Sequence, residues 1–118
     1  MDVNTEAVLY SKNADTQLYP ASITKILTTL LACENLNAKT NITVSENAST
    51  SVTAGDSSIY AAPGEEFTRD QALMAVMLQS ANEMSVAVAE EVSGSVKKFA
   101  ELMNWRAKLF GCKNTHFN

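Results

Sequence analysis

The spacing of apolar residues along the chain predicts a mainly helical protein. Apolar side chains recur at the i, i+3 and i+4 positions of a helix in four stretches. One predicted helix covers residues 21–35, and a second starts at the capping box Thr68-Arg69-Asp70-Gln71 and stops before Gln79. Two more are predicted over residues 84–92 and 95–110, which Gly94 and Gly111 would end.

The remaining segments predict little regular structure. Residues 7–10 are short and β-prone and predict a strand, followed by a polar turn over residues 11–15, and residues 42–44 predict a second strand. Residues 45–64 are rich in Ser, Thr, Ala and Gly and predict a long loop, and long loops in compact domains are often functional. Four large side chains are expected in the helical core: Met74, Met77, Met103 and Trp105.

Composition narrows the class of protein. The chain has 118 residues, of which 46% are hydrophobic, which suits one domain with a packed core. Its net charge of −4 argues against nucleic acid or an anionic membrane as the main partner. Cys33 and Cys112 are too few to form a disulfide framework, and the single histidine, His116, belongs to no metal-ligand pattern. No apolar stretch approaches a membrane span, and the chain opens with no signal-peptide pattern.

The candidate chemistry begins at Ser22 and Lys25, at the predicted start of the first helix. Residues i and i+3 share a helix face, so the serine hydroxyl and the lysine amine can meet without another segment. Pro20 suits a helix entry, and burial of the following helix would lower the pKa of Lys25 so that a neutral amine can take the serine proton. The pair therefore predicts acyl transfer through a serine ester.

The same spacing also has purely structural interpretations. Ser22 could be a helix cap and Lys25 a solvated side chain, and Ser95-Val96-Lys97-Lys98 has the same Ser-x-x-Lys form. We expect that second match to be a solvated helix start, with Val96 and Phe99 buried and the two lysines outside.

A second polar group lies at the predicted break between two apolar helices. Ser80-Ala81-Asn82 could direct a hydroxyl and an amide into the cavity that holds Ser22, where they would relay a proton and hold a substrate amide. The alternative is an interhelical turn with Ser80 as a cap.

Together these segments resemble the serine-type D-alanyl-D-alanine carboxypeptidases, the low-molecular-mass penicillin-binding proteins. The resemblance runs over nearly the whole chain and rests on these segments: Pro20-Ala21-Ser22-Ile23-Thr24-Lys25, Gly55-Asp56-Ser57-Ser58-Ile59-Tyr60, Pro63-Gly64-Glu65, Ser80-Ala81-Asn82 and Lys113-Asn114-Thr115-His116-Phe117. It implies that Ser22 is the acylated nucleophile and Lys25 its general base. It also implies that Ser80 relays protons and that Asn82 positions substrate.

The sequence departs from the family at its third motif. No Lys-Thr-Gly occurs, and the first strand of the family fold also has no counterpart. We therefore expect residues 1–118 to be a single partial catalytic domain that is inactive or very weak alone. The implied fold is a mostly α fragment of an α/β (α+β) serine β-lactamase/penicillin-binding transpeptidase-like fold, a helical lobe with one or two short strands.

The implied activity is removal of the terminal D-alanine from peptidoglycan stem peptides through an ester on Ser22. The resemblance further implies β-lactams as covalent inhibitors, no metal or organic cofactor, and an extracytoplasmic, cell-envelope location for the full-length protein. Two alternatives stay open. The chain could be an inactive interaction piece that pairs with another chain supplying the absent strands, or a serine β-lactamase.

Overall fold

The computed structural model describes residues 1–14 and 16–118, and residue 15, the last of the predicted turn, lies outside them. A short 3₁₀ turn, Ala21–Ile23, leads directly into the first α-helix. The regular elements, in chain order, are α1 (Thr24–Asn35), β1 (Asn41–Thr43), α2 (Glu46–Thr50), β2 (Glu66–Thr68), α3 (Arg69–Leu78), α4 (Asn82–Ser93) and α5 (Val96–Leu109). The predicted mostly α fold with one or two short strands is confirmed.

The sheet has two antiparallel strands, in which Ile42 of β1 pairs with Phe67 of β2. Ile42 is buried and its two neighbours in β1 are exposed, which is the alternation of a half-buried strand. The predicted strand at residues 42–44 is therefore confirmed with a shift of one residue. β2 was not predicted, because Phe67 is its single apolar residue and Thr68, its last residue, also belongs to the capping box of α3.

Capping chemistry sets several helix ends. Thr68 and Gln71 form the predicted capping box of α3, in which each side chain accepts from the other's backbone N–H. Gly94 ends α4 with φ +76°, a left-handed conformation that glycine adopts without a steric penalty. Gly111, with φ +80°, follows α5 as predicted.

Helix α4 is the centre of the molecule, since it packs against α1, α2, α3, α5 and β1. One side of it joins a core built with α1, β1, α2 and α3, and another side joins a smaller core with α1 and α5. The larger core contains many small side chains, including Ala72, Ala81 and Ala87, which let the helices approach closely. The start of α4 is therefore fixed in place, and this start carries Asn82.

Several expectations were wrong. Residues 7–10 form no strand and are exposed, because the described residues offer them no partner strand. The predicted loop of residues 45–64 contains α2, whose start Ser45 caps by accepting from Ala48 N–H. Met103 is buried as expected, but Met74 and Trp105 are 61% and 54% exposed, and Met77 is also exposed, since they lie on helix faces that no described segment covers.

None of the helices in residues 1–14 and 16–118 has the length and apolar character needed to cross a membrane. Cys33 and Cys112 are both free thiols on the surface.

Candidate active site

Ser22 lies in the 3₁₀ turn that precedes α1, with an exposed side chain. The turn is entered through Pro20, whose fixed φ suits a helical start. Ala21 has φ +48°, a conformation that costs a non-glycine residue about 1–3 kcal/mol and is concentrated at functional sites. The backbone N–H of Ser22 is among the amides of a helix start, which have no acceptor within the helix. The expected placement of Ser22 in the first helical turn is confirmed, in its 3₁₀ form.

Lys25 joins three polar side chains from different parts of the chain. Its Nζ lies 3.4 Å from Ser22 Oγ, 3.0 Å from Ser80 Oγ and 2.6 Å from Asn82 Oδ1. The first contact is the predicted i, i+3 pair on one helix face, and the other two bridge more than fifty residues of sequence. Lys25 is half-buried and does not point into bulk solvent. The alternative interpretation of Lys25 as a solvated side chain is therefore wrong.

Ser80 and Asn82 reach this amine from the break between α3 and α4. Ser80 has φ +55°, which turns the chain sharply, while Ala81 N–H donates to Ala75 O and anchors the turn on α3. Ser80 Oγ also donates to Ser22 Oγ at 2.9 Å. The two predicted motifs thus form one hydrogen-bonded cluster of four side chains: Ser22, Lys25, Ser80 and Asn82.

Burial of the amine lowers the pKa of Lys25 below its ordinary value. The carboxylates of Asp56 and Glu83 act in the opposite direction, because a nearby negative charge favours the ammonium form. The net lowering increases the fraction of neutral amine near neutral pH, and a neutral amine can accept a proton from a hydroxyl.

Sequence reasoning did not single out Asp56 and Glu83 as parts of this site. Asp56 is exposed, and hydrogen bonds from the backbone and hydroxyl of Thr53, together with Lys25, lower its pKa. Glu83 follows Asn82 directly and is buried. The available sequence signal was a carboxylate beside the Ser-x-Asn triplet, but single acidic residues are too common on helices for that signal to be specific.

The second Ser-x-x-Lys match is a solvated helix start, as predicted. Ser95 caps α5 by accepting from Lys98 N–H, and both lysines are exposed. Phe99 is buried as expected, whereas Val96 is 37% exposed, so the prediction for Val96 was wrong. Both serines therefore stand at helix starts, and only Ser22 meets a lysine amine among the described hydrogen bonds.

Replacing Ser95 by alanine is expected to remove this cap, at a cost of about 1 kcal/mol in the free energy of unfolding, and to leave covalent labelling by a β-lactam unchanged. Thermal unfolding and labelling with a fluorescent penicillin measure the two effects. A loss of labelling without a loss of folded protein would show that the wrong serine–lysine pair was chosen.

Three comparisons place this chain among known proteins. A family model described as D-alanyl-D-alanine carboxypeptidase matches residues 1–118. The chain is 45% identical over 117 residues to the D-alanyl-D-alanine carboxypeptidase DacF of Bacillus subtilis, a match that covers 97% of this chain and 30% of that protein. It is 34% identical over 125 residues to DacA of Escherichia coli K12, again covering 99% of this chain and 31% of the relative. The chain thus spans about a third of the length of these curated relatives.

Solved structures give the same placement. The Streptomyces K15 DD-transpeptidase superposes with a TM-score of 0.91 at 32% identity, over 100% of this chain and 48% of that one. The D-alanyl-D-alanine carboxypeptidase DacD of Francisella tularensis superposes with a TM-score of 0.88 at 36% identity, over 99% of this chain and 29% of that one. The chain belongs to the D-alanyl-D-alanine carboxypeptidase family.

Proposed function

We propose that this chain carries the nucleophile and base of a serine D-alanyl-D-alanine carboxypeptidase that acts on peptidoglycan stem peptides. The observation that carries the proposal is the hydrogen-bonded cluster of Ser22, Lys25, Ser80 and Asn82, which joins the start of α1 to the break between α3 and α4. In this proposal Ser22 is the acylated residue and Lys25 the general base.

Two routes could take the proton from Ser22. The direct distance from Ser22 Oγ to Lys25 Nζ is 3.4 Å, while the path through Ser80 Oγ has steps of 2.9 and 3.0 Å. Since hydrogen-bonded oxygens and nitrogens transfer protons best at about 2.6–3.2 Å, these distances favour the relay through Ser80. Asn82 Oδ1, at 2.6 Å, holds the amine in place by accepting from it.

The proposed reaction then balances in two steps. Ser22 Oγ attacks the carbonyl carbon of the penultimate D-alanine, the C–N bond to the terminal D-alanine breaks, and the leaving amine receives the proton through Ser80 or Lys25. Water next attacks the ester, gives one proton to Lys25, and releases the shortened peptide as Ser22 regains its hydrogen. The Ser22 N–H can stabilise the developing oxyanion as one backbone donor.

The same chemistry supports two further parts of the proposal. A β-lactam presents a strained amide to the same serine and would acylate Ser22 as a covalent inhibitor. Peptidoglycan substrates lie outside the cytoplasmic membrane, so we place the working protein in the cell envelope.

The test is to treat the protein expressed from its complete gene with a fluorescent penicillin and, separately, with a peptide ending in D-Ala-D-Ala. We expect an adduct whose peptide map places it on Ser22 and release of free D-alanine from the peptide. Fast penicillin hydrolysis without a lasting adduct or D-alanine release would favour a β-lactamase. Absence of both adduct and turnover would contradict an enzymatic function.

A second candidate function, pairing with another chain, is supported by the apolar surface of the described residues. Leu9, Tyr10 and Tyr19 near the start, and Met74 and Leu78 on α3, are each more than half exposed. Soluble proteins seldom leave large apolar patches uncovered, so such surfaces commonly meet another segment. This candidate predicts binding without Ser22 acylation, and the labelling test above separates it from the enzyme.

A further inference from the structure

A carboxylate lies almost fully buried beside the cluster. Glu83, in the first turn of α4, is 1% exposed, although glutamate is rarely buried unless it is paired. No ion pair involves Glu83 among the described residues. Its hydrogen bonds therefore have to account for its position.

Glu83 binds a single segment of the preceding loop. Its Oε1 accepts from Ser58 Oγ at 2.6 Å and from Ile59 N–H at 2.7 Å, with a longer contact from Ala61 N–H at 3.5 Å. Immediately beside it, Asn82 N–H donates to Ser57 O at 2.9 Å. The segment of residues 57–61 is thus joined to the first two residues of α4, one of which holds Lys25.

The hydrogen bonds to Glu83 offset the cost of burying it. Burial alone would raise the pKa of Glu83, but the donors from Ser58, Ile59 and Ala61 hold that pKa below its ordinary value, so the carboxylate stays charged. Its second oxygen, Oε2, is buried and has no partner among the described residues. A buried acceptor without a partner is destabilising, so stability alone is a poor reason for a carboxylate here.

The loop segment has two polar attachments to the rest of the fold besides Glu83. Ser49 Oγ donates to Ala61 O at 3.0 Å, and Asn82 N–H makes the contact with Ser57 O given above. The Ala61 side chain is buried in the larger core and that of Ile59 packs against it, whereas Ser58 and Tyr60 line an open cleft of about 530 Å³. Tyr60 has φ +58°, a strained conformation for a side-chain-bearing residue. With three donors to one oxygen, the Glu83 carboxylate is the side chain that joins residues 58–61 to the start of α4.

We propose that Glu83 is a positioning residue of this site, whose buried carboxylate fixes residues 57–61 against the start of α4 and so holds Asn82 in its contact with Lys25. Glu83 touches neither Ser22 nor the substrate in this proposal. It acts through the backbone of Asn82 and through the loop that borders the site. The proposal deepens the proposed carboxypeptidase function and depends on it for the rate measurements below.

Two substitutions of Glu83 separate its role as a hydrogen-bond acceptor for the loop from its role as a negative charge. Glu83→Gln keeps an oxygen that can accept from Ser58 and Ile59, and its amide nitrogen can take the place of the unpartnered Oε2. Glu83→Ala removes both the acceptor and the charge. A positioning role therefore predicts a large defect for alanine and rescue by glutamine.

In the protein expressed from its complete gene, we expect Glu83→Ala to slow acylation of Ser22 by a fluorescent penicillin about tenfold to a hundredfold, since buried donors of the loop lose their acceptor. Glu83→Gln should acylate at close to the original rate on the alkaline plateau. Its acid limb should move to lower pH, because a negative charge that favours the Lys25 ammonium is gone, while Asp56, the other acidic group acting on that amine, remains. A Glu83→Gln rate as low as that of Glu83→Ala would overturn the positioning role, because glutamine keeps an acceptor for Ser58 and Ile59.

Glu90 provides a matched control on the same helix, two turns further on. It also accepts from a serine hydroxyl, Ser45 Oγ at 2.6 Å, and from Asn47 Nδ2 at 2.7 Å, but it holds the start of α2. Glu90→Ala should lower the melting temperature without changing the acylation rate or its pH dependence. Equal rate losses in Glu83→Ala and Glu90→Ala would reduce the role of Glu83 to general stability and overturn the proposal.

Hydrogen exchange supplies a readout that does not need activity. The Ile59 and Ala61 amides should exchange faster in Glu83→Ala than in the original protein, in Glu83→Gln or in Glu90→Ala. Unchanged exchange would overturn the proposal even in a protein that acylates normally. Absence of Ser22 labelling in the original protein would instead contradict the proposed function, and the exchange comparison would still decide the role of Glu83. If Glu83→Ala fails to fold, Ser58→Ala takes its place, because it removes one donor to the carboxylate. Faster exchange of the Ile59 amide with slower acylation would support the proposal, and no change in either would overturn it.

Discussion

Replacing Ser22 by alanine is expected to reduce covalent labelling by a fluorescent penicillin to background and to abolish D-alanine release. The cluster contains two hydroxyls, those of Ser22 and Ser80. Ser22 is the exposed residue of the two, and its Oγ lies near both the Lys25 amine and the Ser80 hydroxyl, so it can meet an incoming carbonyl. Removing the nucleophile of a serine hydrolase costs about 10⁶-fold in kcat, because no other group can form the acyl intermediate. Intact-mass measurement after β-lactam treatment, followed by peptide mapping, checks the result.

Ser95→Ala is the matched control for that experiment, since Ser95 also starts a helix and also precedes a lysine by three residues. It should label as the original protein does. Retention of labelling in Ser22→Ala would contradict the assigned nucleophile. Adduct on Ser80 in that variant would show that the second hydroxyl of the cluster, 2.9 Å away, can be activated in its place.

The pairing of Ser22 with Lys25 could be predicted from sequence because it is a local property of one helical turn. Three residues of separation bring the two side chains to one face whatever the rest of the fold does. The contacts of Ser80 and Asn82 with Lys25 do not follow from local geometry, because more than fifty residues separate them from Lys25 in the sequence. Its prediction depended on the apolar pattern breaking at that triplet and on the resemblance of its whole context to a known family.

Other features depended on tertiary structure that no local pattern records. Helix α2 has five residues, too few to show a helical period, and its Ser-rich sequence is equally typical of a loop. The positive φ angles of Ala21, Tyr60 and Ser80 occur in residues that rarely adopt them, so sequence favoured ordinary backbone there. Glu83 was missed for a related reason, because its burial follows from the path of residues 57–61 and not from its own helix.

Replacing Lys25 by methionine is expected to slow acylation about 10²- to 10⁴-fold, the usual contribution of a general base. Methionine matches the apolar stem and the length of lysine but cannot accept a proton, so Ser22 would stay a protonated, weakly nucleophilic alcohol. The variant would also lose the contacts to Ser80 and Asn82. Stopped-flow or quenched labelling with a penicillin measures the second-order acylation rate.

Lys25→Arg separates the roles of base and of cation. Arginine keeps a positive charge and several N–H donors, but it does not lose its proton in proteins and cannot act as a base at ordinary pH. If Lys25 serves as the base, arginine should be nearly as slow as methionine. A near-normal rate in Lys25→Arg would show that the residue acts through its charge, for example by stabilising the developing oxyanion, and would contradict the proposed proton transfer.

The pH dependence of the acylation rate tests whether Lys25 is the base. Because burial lowers the pKa of Lys25, the neutral amine appears at lower pH than for a free lysine, and acylation by the original protein should rise with pH as that proton is lost. The lowered pKa of Lys25 also affects the free energy of unfolding. Between the pKa of Lys25 in the folded protein and its higher pKa in the unfolded chain, the unfolded chain binds more protons, so the free energy of unfolding should rise with pH in that window. Lys25→Met should flatten both slopes together, because one titrating group produces them. A flat rate profile in the original protein, or a slope that survives in Lys25→Met, would place the base elsewhere in the site.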